Sequence, residues 1–147
     1  MGKKKEIDTR FAKFGTVSFT ATTRVNDFVS HLDDGRITGT RCVNCGTRFF
    51  PPRSDCFKCL ASHVEWFDVT GTGRLVTYSR LKYAPVGFEN DLPYCIALAD
   101  YGDFKVFGRL ADDLKDDDIE IGMAVKTRAN HLPNGQLNYV FEKADTT

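Results

Sequence analysis

Two Cys-x-x-Cys pairs, Cys42/Cys45 and Cys56/Cys59, stand ten residues apart in the first half of the chain. One such turn holds two sulfurs within reach of a single metal ion. A second turn completes a tetrahedron, with Zn–S near ~2.3 Å. The spacing predicts a closed four-thiolate site on Cys42, Cys45, Cys56 and Cys59, with structural zinc as the ion favoured by the ligand type. Iron in a rubredoxin-like site would use the same ligands. A closed set leaves no coordination position for a substrate, so catalytic zinc is not expected. Redox Cys-x-x-Cys chemistry needs one pair on a βα unit, and none flanks either pair.

The residues around the pairs fit a metal site. Gly46 follows the first pair, where a positive φ is often required, while Leu60 holds the matching place after the second and makes that turn less ideal. Four thiolates and a dication leave net negative charge, and Arg41, Arg48, Arg53 and Lys58 lie beside or within the loop to offset it. Phe49, Phe50, Pro51 and Pro52 form a stiff apolar link, expected to shield the sulfurs from water.

Hydrophobic residues make up 41% of the 147, with twelve Phe, so a core can form without disulfides. Charge is unevenly placed. Residues 1–60 hold 11 Lys/Arg against 6 Asp/Glu, and residues 61–147 hold 9 against 14, which suggests two units. The acidic second half speaks against nucleic acid as its partner. No stretch approaches the roughly 20 apolar residues of a membrane span. The start, Met1-Gly2-Lys3-Lys4-Lys5-Glu6, runs into charge and not into the apolar region of a signal peptide, and Glu6 sits where a myristoylation site wants Ser or Thr. A cytoplasmic location is expected, where reduced cysteines in a cluster point to metal before disulfide.

Three segments follow from periodicity. Residues 1–23 form an N-terminal extension in which Val17, Phe19 and Ala21 alternate with polar residues as in a short strand, and Phe11 and Phe14 call for a surface to dock on. Residues 24–65 hold a helix and the ribbon. Val25, Phe28, Val29 and Leu32 share one face of a helix over 24–34, with Thr22 or Thr23 as its cap and Gly35 as its stop. Residues 66–147 read as strands. Gly71-Thr72-Gly73 makes a turn, and Gly102-Asp103 and Pro133-Asn134-Gly135 each join a hairpin. Between the hairpins, Ala111 to Asp118 predicts a helical turn and a solvated acidic loop. Five strands with one helical turn after the third outline a five-stranded OB-fold barrel, with a small β-sandwich as the alternative. The fold class expected is mainly β, with an N-terminal helix, a rubredoxin-like zinc ribbon and the barrel.

No catalytic constellation emerges. His31, His63 and His131 form no spacing motif with an acid or a thiol and read as surface or turn residues. The acidic run lacks the glycine and spaced ligands of a calcium loop. Cys95 lies in the apolar run Tyr94 to Leu98 and reads as a buried strand residue.

The order of several short motifs carries a resemblance. Asp34-Gly35-Arg36, Arg41 to Gly46, Phe50-Pro51-Pro52-Arg53, Cys56 to Cys59, Gly71-Thr72-Gly73, Leu92-Pro93-Tyr94 and Ile121-Gly122-Met123 span roughly residues 24–142. In that order and spacing they resemble the acyl-CoA-associated proteins built from a rubredoxin-like zinc ribbon joined to an OB-fold. The resemblance implies a partner subunit of thiolase-type, hydroxymethylglutaryl-CoA-synthase-type or lipid-transfer-protein-type enzymes, seldom catalytic itself. It implies a barrel that helps bind coenzyme A or acyl-CoA, and a ribbon and leading helix that touch the enzyme. One relative of this kind is the small subunit of the thiolase that cleaves benzoylsuccinyl-CoA in anaerobic toluene degradation. Leu60 and the extension over residues 1–23 depart from the common pattern.

The expectation is therefore a non-catalytic small subunit with a thiolase-like large subunit as partner. The loop Pro85 to Asn90, through Val86, Phe88 and Asn90, is the expected lining of an acyl or pantetheine path. A single-stranded nucleic-acid-binding zinc-ribbon OB protein is the alternative. A self-sufficient enzyme using Cys95 is a third reading.

Overall fold

The computed structural model describes residues 8–12 and 23–145. The predicted strand over Val17, Phe19 and Ala21, with Phe14 and Thr22, falls outside the described residues.

The helix is shorter than its apolar period predicts. α1 runs Asp27–Asp33, and the chain enters it through i→i+3 turns, Phe28 N–H to Val25 O (3.1 Å) and Val29 N–H to Asn26 O (3.0 Å). Asn26 precedes the helix without a side-chain cap bond, and its amide nitrogen donates to Asp8 (3.3 Å). Thr23 instead accepts from the Val25 amide at 3.4 Å, at the start of the entry turn. Phe28, Val29 and Leu32 are buried on one face as predicted, and Gly35 ends the helix with φ +82°. At seven residues α1 is too short to persist alone. Its apolar face belongs to the same core as the barrel residues Leu75, Val106, Leu137 and Phe141.

Residues 8–12 lie along this junction. The Arg10 carbonyl accepts from the Leu137 amide (2.8 Å), and its guanidinium pairs with Asp8 (2.7 Å) and Asp33 (3.0 Å). The Arg10 hydrogen bonds hold the Asp8 carboxyl down to about 2. Phe11 meets Phe28 edge to face at 5.9 Å, so the docking surface that its sequence called for is the helix.

Two sheets follow. The first has order β2-β1-β3, with β1 (Thr38–Cys42), β2 (Arg48–Phe49) and β3 (Val64–Asp68) all antiparallel. The second is a closed five-stranded barrel, β4 (Gly73–Leu81), β5 (Tyr94–Asp100), β6 (Lys105–Leu110), β8 (Leu137–Lys143) and β7 (Ala124–His131) in spatial order. This is the OB-fold expected from the strand count, and it replaces the sandwich alternative. β4 closes on β7 through Gly73↔Val125 and Arg74↔Ala124. β6 meets β8 in parallel over two pairs only, Arg109↔Val140 and Leu110↔Phe141. Small residues turn inward on β5 (Cys95, Ala97, Ala99), which leaves room for the fully buried Phe141 across the barrel. Cys95 is thus a core residue. Among the described residues no helix is long and apolar enough to cross a membrane.

The acidic loop forms a 3-10 turn at Asp116–Asp118 with all three carboxylates exposed, and Asp116 pairs with Arg80.

β1 is tightly enclosed at Gly39. A Cβ at Gly39 would lie 2.4 Å from the Phe49 carbonyl oxygen and 2.7 Å from the Phe67 ring. The first of these is backbone and cannot step aside. Gly39→Ala is expected to destabilise the protein by about 2–3 kcal/mol through forced separation of β1 from β2 and β3. Urea unfolding followed by Trp66 fluorescence measures it, and a midpoint unchanged from the parent would contradict this packing.

Candidate metal centre and the adjoining groove

The sheet and two loops bring the four cysteines together. Cys42 ends β1, Cys45 follows in the first knuckle, and Cys56 and Cys59 form the second. Their four sulfurs lie within 4.8 Å of one another. Cys42 Sγ is 3.5 Å from Cys59 Sγ, and Cys45 Sγ is 3.6 Å from Cys56 Sγ. A tetrahedron with Zn–S of ~2.3 Å has edges of about 3.8 Å, so the donor set fits a thiophilic dication. All five cysteines are free, and no disulfide competes for the sulfurs.

Side-chain and then backbone donors favour negative sulfur at Cys45 and Cys59. Thr47, first through its hydroxyl (3.1 Å) and then through its amide, holds the Cys45 thiol down to about 6. Asn44 through its side chain, then the Ala61 amide, lowers Cys59. The Cys45 amide also favours thiolate at Cys42, but burial and the neighbouring sulfurs push Cys42 up. A bound dication supplies the positive charge that the sulfurs lack.

Both knuckles need a left-handed residue. Gly46 provides one at φ +77°, and Leu60 provides the other at φ 62°, the positive-φ non-glycine residue among those described. Amide bonds force the conformation: Gly46 N–H reaches Cys42 O (2.9 Å) and Leu60 N–H reaches Cys56 O (3.0 Å).

The apolar link divides its labour. Phe49 packs with Cys42 and Cys56, as expected of a shield. Phe50 turns the other way and meets Phe28 (6.2 Å) and Tyr139 (5.4 Å) edge to face, so it joins ribbon, helix and barrel and does not cover the sulfurs. Two buried threonines, which periodicity did not single out, hold β1 in place. Thr40 Oγ1 donates to Arg53 O and accepts from Arg53 N, both at 2.8 Å, and Thr38 Oγ1 meets His31 Nδ1 at 2.9 Å. His31 also abuts Trp66 edge to face at 4.8 Å. It is a half-buried tie between helix and ribbon, not the surface residue expected. His63 and His131 are exposed, and His131 pairs with Asp33 (3.1 Å).

A groove of about 420 Å³ opens where helix, ribbon and barrel meet. Phe11, Phe28, Pro51, Phe88, Tyr94, Phe107 and Tyr139 line it, with Arg109 at one side. Arg109 pairs with Asp91 (2.9 Å) and lies 3.9 Å from the Tyr94 ring centre and 5.2 Å from that of Phe88. A smaller, polar hollow of about 200 Å³ adjoins it, with Asn90, Asp91, Arg109, Asn130 and Asn138 in its wall. Tyr139 donates to the Phe107 carbonyl (2.6 Å), and burial pushes its phenol pKa up, so it remains a donor. Of the predicted lining residues, Phe88 faces the groove and Asn90 the hollow, while Val86 is 93% exposed and lines neither. Arg109 was missed. Its signal was an arginine on the outward side of β6, opposite Ile96, where the neighbouring outward residue is Phe107.

Comparison with known proteins agrees with this architecture. Residues 29–65 match the family profile of the ChsH2 rubredoxin-like zinc ribbon domain, and residues 66–130 that of the ChsH2 C-terminal OB-fold domain. A DUF35 domain-containing scaffold protein of Methanocaldococcus jannaschii is 38% identical over 92 residues, 61% of this chain and 64% of that protein. One of Methanothermobacter thermautotrophicus is 31% identical over 111 residues, 72% of this chain and 84% of that protein. The chain spans 64% and 66% of the length of the Methanocaldococcus jannaschii and Pyrococcus furiosus relatives. Among solved structures, the Ltp2-ChsH2(DUF35) aldolase aligns at TM-score 0.70 and 25% identity, covering 84% of this chain and 98% of that one. A DUF35-family protein of unknown function from Sulfolobus solfataricus aligns at TM-score 0.53 and 21% identity, over 74% of this chain and 81% of that one, a likeness of fold.

The ribbon's own core is Cys42, Phe49 and Cys56, with Cys59 and Ala61 against it. So small a cluster depends on its metal. Chelation under mild denaturant is expected to release one zinc per chain and to remove amide-exchange protection over residues 41–62, while the barrel strands stay protected. Protection that survives metal loss would show that packing alone holds the ribbon.

Proposed function

The chain belongs to the ChsH2-type zinc-ribbon and OB-fold (DUF35) family, and from that premise we propose that it is the non-catalytic small subunit of a thiolase-type acyl-CoA enzyme complex. The alignment with the Ltp2-ChsH2(DUF35) aldolase carries the reading, because it runs through ribbon and barrel together over 98% of that chain. The scaffold description of the archaeal relatives supports the same role. In this reading zinc on Cys42, Cys45, Cys56 and Cys59 is structural. It fixes the two knuckles and takes no part in the reaction.

The groove is where this subunit contributes to acyl-CoA binding. Phe88 and Asn90 mark its apolar and polar parts, and Val86 stands at the loop tip. An apolar trough beside asparagine amides suits a chain that carries both an acyl group and amide-bearing pantetheine. The aromatic walls suit an aryl acyl group, and benzoylsuccinyl-CoA is the substrate we assign within the class. The large subunit supplies the nucleophilic thiol, since Cys95 is shut inside the barrel.

The test is a tagged pull-down from the native organism with the retained proteins identified by mass spectrometry. Stoichiometric recovery of a thiolase-like enzyme is expected. The isolated chain should show no thiolase activity, and the reconstituted pair should cleave benzoylsuccinyl-CoA. Activity in the chain alone would overturn the subunit role. Phe88→Ala in the pair is expected to raise KM for the acyl-CoA about tenfold, corresponding to roughly 1.4 kcal/mol of lost binding, with zinc content unchanged.

A further inference from the structure

Leu60 is held at φ 62° and is 83% exposed. The left-handed region disfavours any side chain with a Cβ, and glycine occupies it without strain. Strain in a folded chain is offset when the side chain packs inside, but Leu60 buries almost nothing. The knuckle's amide bond to Cys56 requires the positive φ, but no core contact among the described residues calls for a leucine there.

Its surroundings describe what it meets. Phe57, in the same knuckle, is 67% exposed yet held firmly. Its ring rests against buried Phe49 at 5.6 Å and under the Arg53 guanidinium at 5.4 Å. Arg53 is itself fixed by its two backbone bonds to Thr40. Leu60 and Phe57 flank a hollow of about 510 Å³ whose wall also includes Val25, Pro52 and Arg53. Apolar groups already fixed in place lose little freedom on binding, which is how an anchor gains affinity.

Charge selects the occupant. Between Cys42 and Cys59 stand Arg48, Arg53 and Lys58 against Asp55 alone. Asp55 is engaged by the Ser62 and Ser54 hydroxyls, with Arg24 nearby. Arg48 and Arg53 lie over the Phe67 and Phe57 rings and, like Lys58, pair with no carboxylate among the described residues. Several cations elsewhere in the described structure are paired, including Arg36, Arg80, Arg109 and Arg128. Phe57 offers one ring, with the Arg53 guanidinium over it, and the aliphatic Leu60 beside it offers successive nucleobases no second platform, so the surface fits protein better than single-stranded nucleic acid.

We infer that the tip of the second knuckle, Phe57 and Leu60 with Lys58 and Arg53 at its rim, is the face that docks the enzyme subunit, and that this subunit presents there an apolar recess edged by carboxylates. The inference rests on the partner-subunit reading and assigns it a surface. Leu60 keeps its strained place because its side chain fills that recess.

The experiment uses the full chain with the enzyme subunit that it retains in the pull-down, produced separately and immobilised for surface plasmon resonance. Leu60→Gly relieves the φ strain and removes the knob. It is expected to raise Tm, keep one zinc per chain and weaken binding at least tenfold. Lys58→Glu, which leaves the turn untouched, is expected to weaken binding severalfold and to reduce its salt dependence. Both variants binding within twofold of the parent would overturn the assigned surface and leave the subunit reading standing. A fall in Tm or in zinc content for Leu60→Gly would also overturn it, because Leu60 would then serve the fold. A parent chain that retains no enzyme subunit would overturn the subunit reading, and the docking face with it.

Discussion

Four sulfurs within 4.8 Å of one another set the terms for everything around them. As thiolates they repel, and as thiols they offer weak hydrogen bonds and a poor core. A dication at their centre turns this into attraction and closes two chain turns at once. β1 then has a fixed end at Cys42, and from that end it sets the other parts. Thr40 pins the loop that carries Arg53, and Thr38 pins the helix through His31. β3 aligns along the whole of β1, from Thr38↔Asp68 to Cys42↔Val64, and leads the chain directly toward the barrel. The metal site is small, but the strand that leaves it reaches every neighbouring element.

The barrel obeys a different logic. Its core is ordinary burial, with Phe141, Leu75, Val106 and Leu137 inside and small β5 residues making room. The helix shares that core, so helix and barrel stand or fall together, while the ribbon depends on its ion. The two regimes meet at Phe50, which packs on both Phe28 and Tyr139, and at Phe67 of β3, which packs on Phe104 of the barrel at 5.1 Å.

Much of this was legible from residue order. The cysteine spacing predicted the cluster, β-type residues between turn signals predicted the barrel strands, and Gly35, Gly46 and Gly102 marked turns that the structure confirms with positive φ. Leu60 was legible as an oddity, because a glycine belongs in its place. What escaped the sequence were effects that join distant residues. Asn26 turns its side-chain amide to Asp8, eighteen residues earlier, and makes no cap bond to the helix. His31 is half-buried because Thr38 and Trp66 come to it across a turn and a sheet. Alternation puts Arg109 on the outward side of β6, but the pairing with Ile96 of β5 decides that this side faces the groove. Local rules place the elements, and the pairings between them place the polar groups.

The two-pair junction between β6 and β8 has a mechanical meaning. The barrel's lattice of hydrogen bonds has two thin seams, β4 on β7 and β6 on β8, each of two residue pairs, and the second runs beside Gly108, Arg109 and Tyr139, along one wall of the groove. The phenol of Tyr139 on the Phe107 carbonyl acts as a clasp above those two pairs. The aperture of the groove is therefore set by a side chain more than by the sheet. In the proposed role this wall is the one that accommodates acyl groups of different girth, while β4 against β5, joined by seven residue pairs, holds the other side of the barrel.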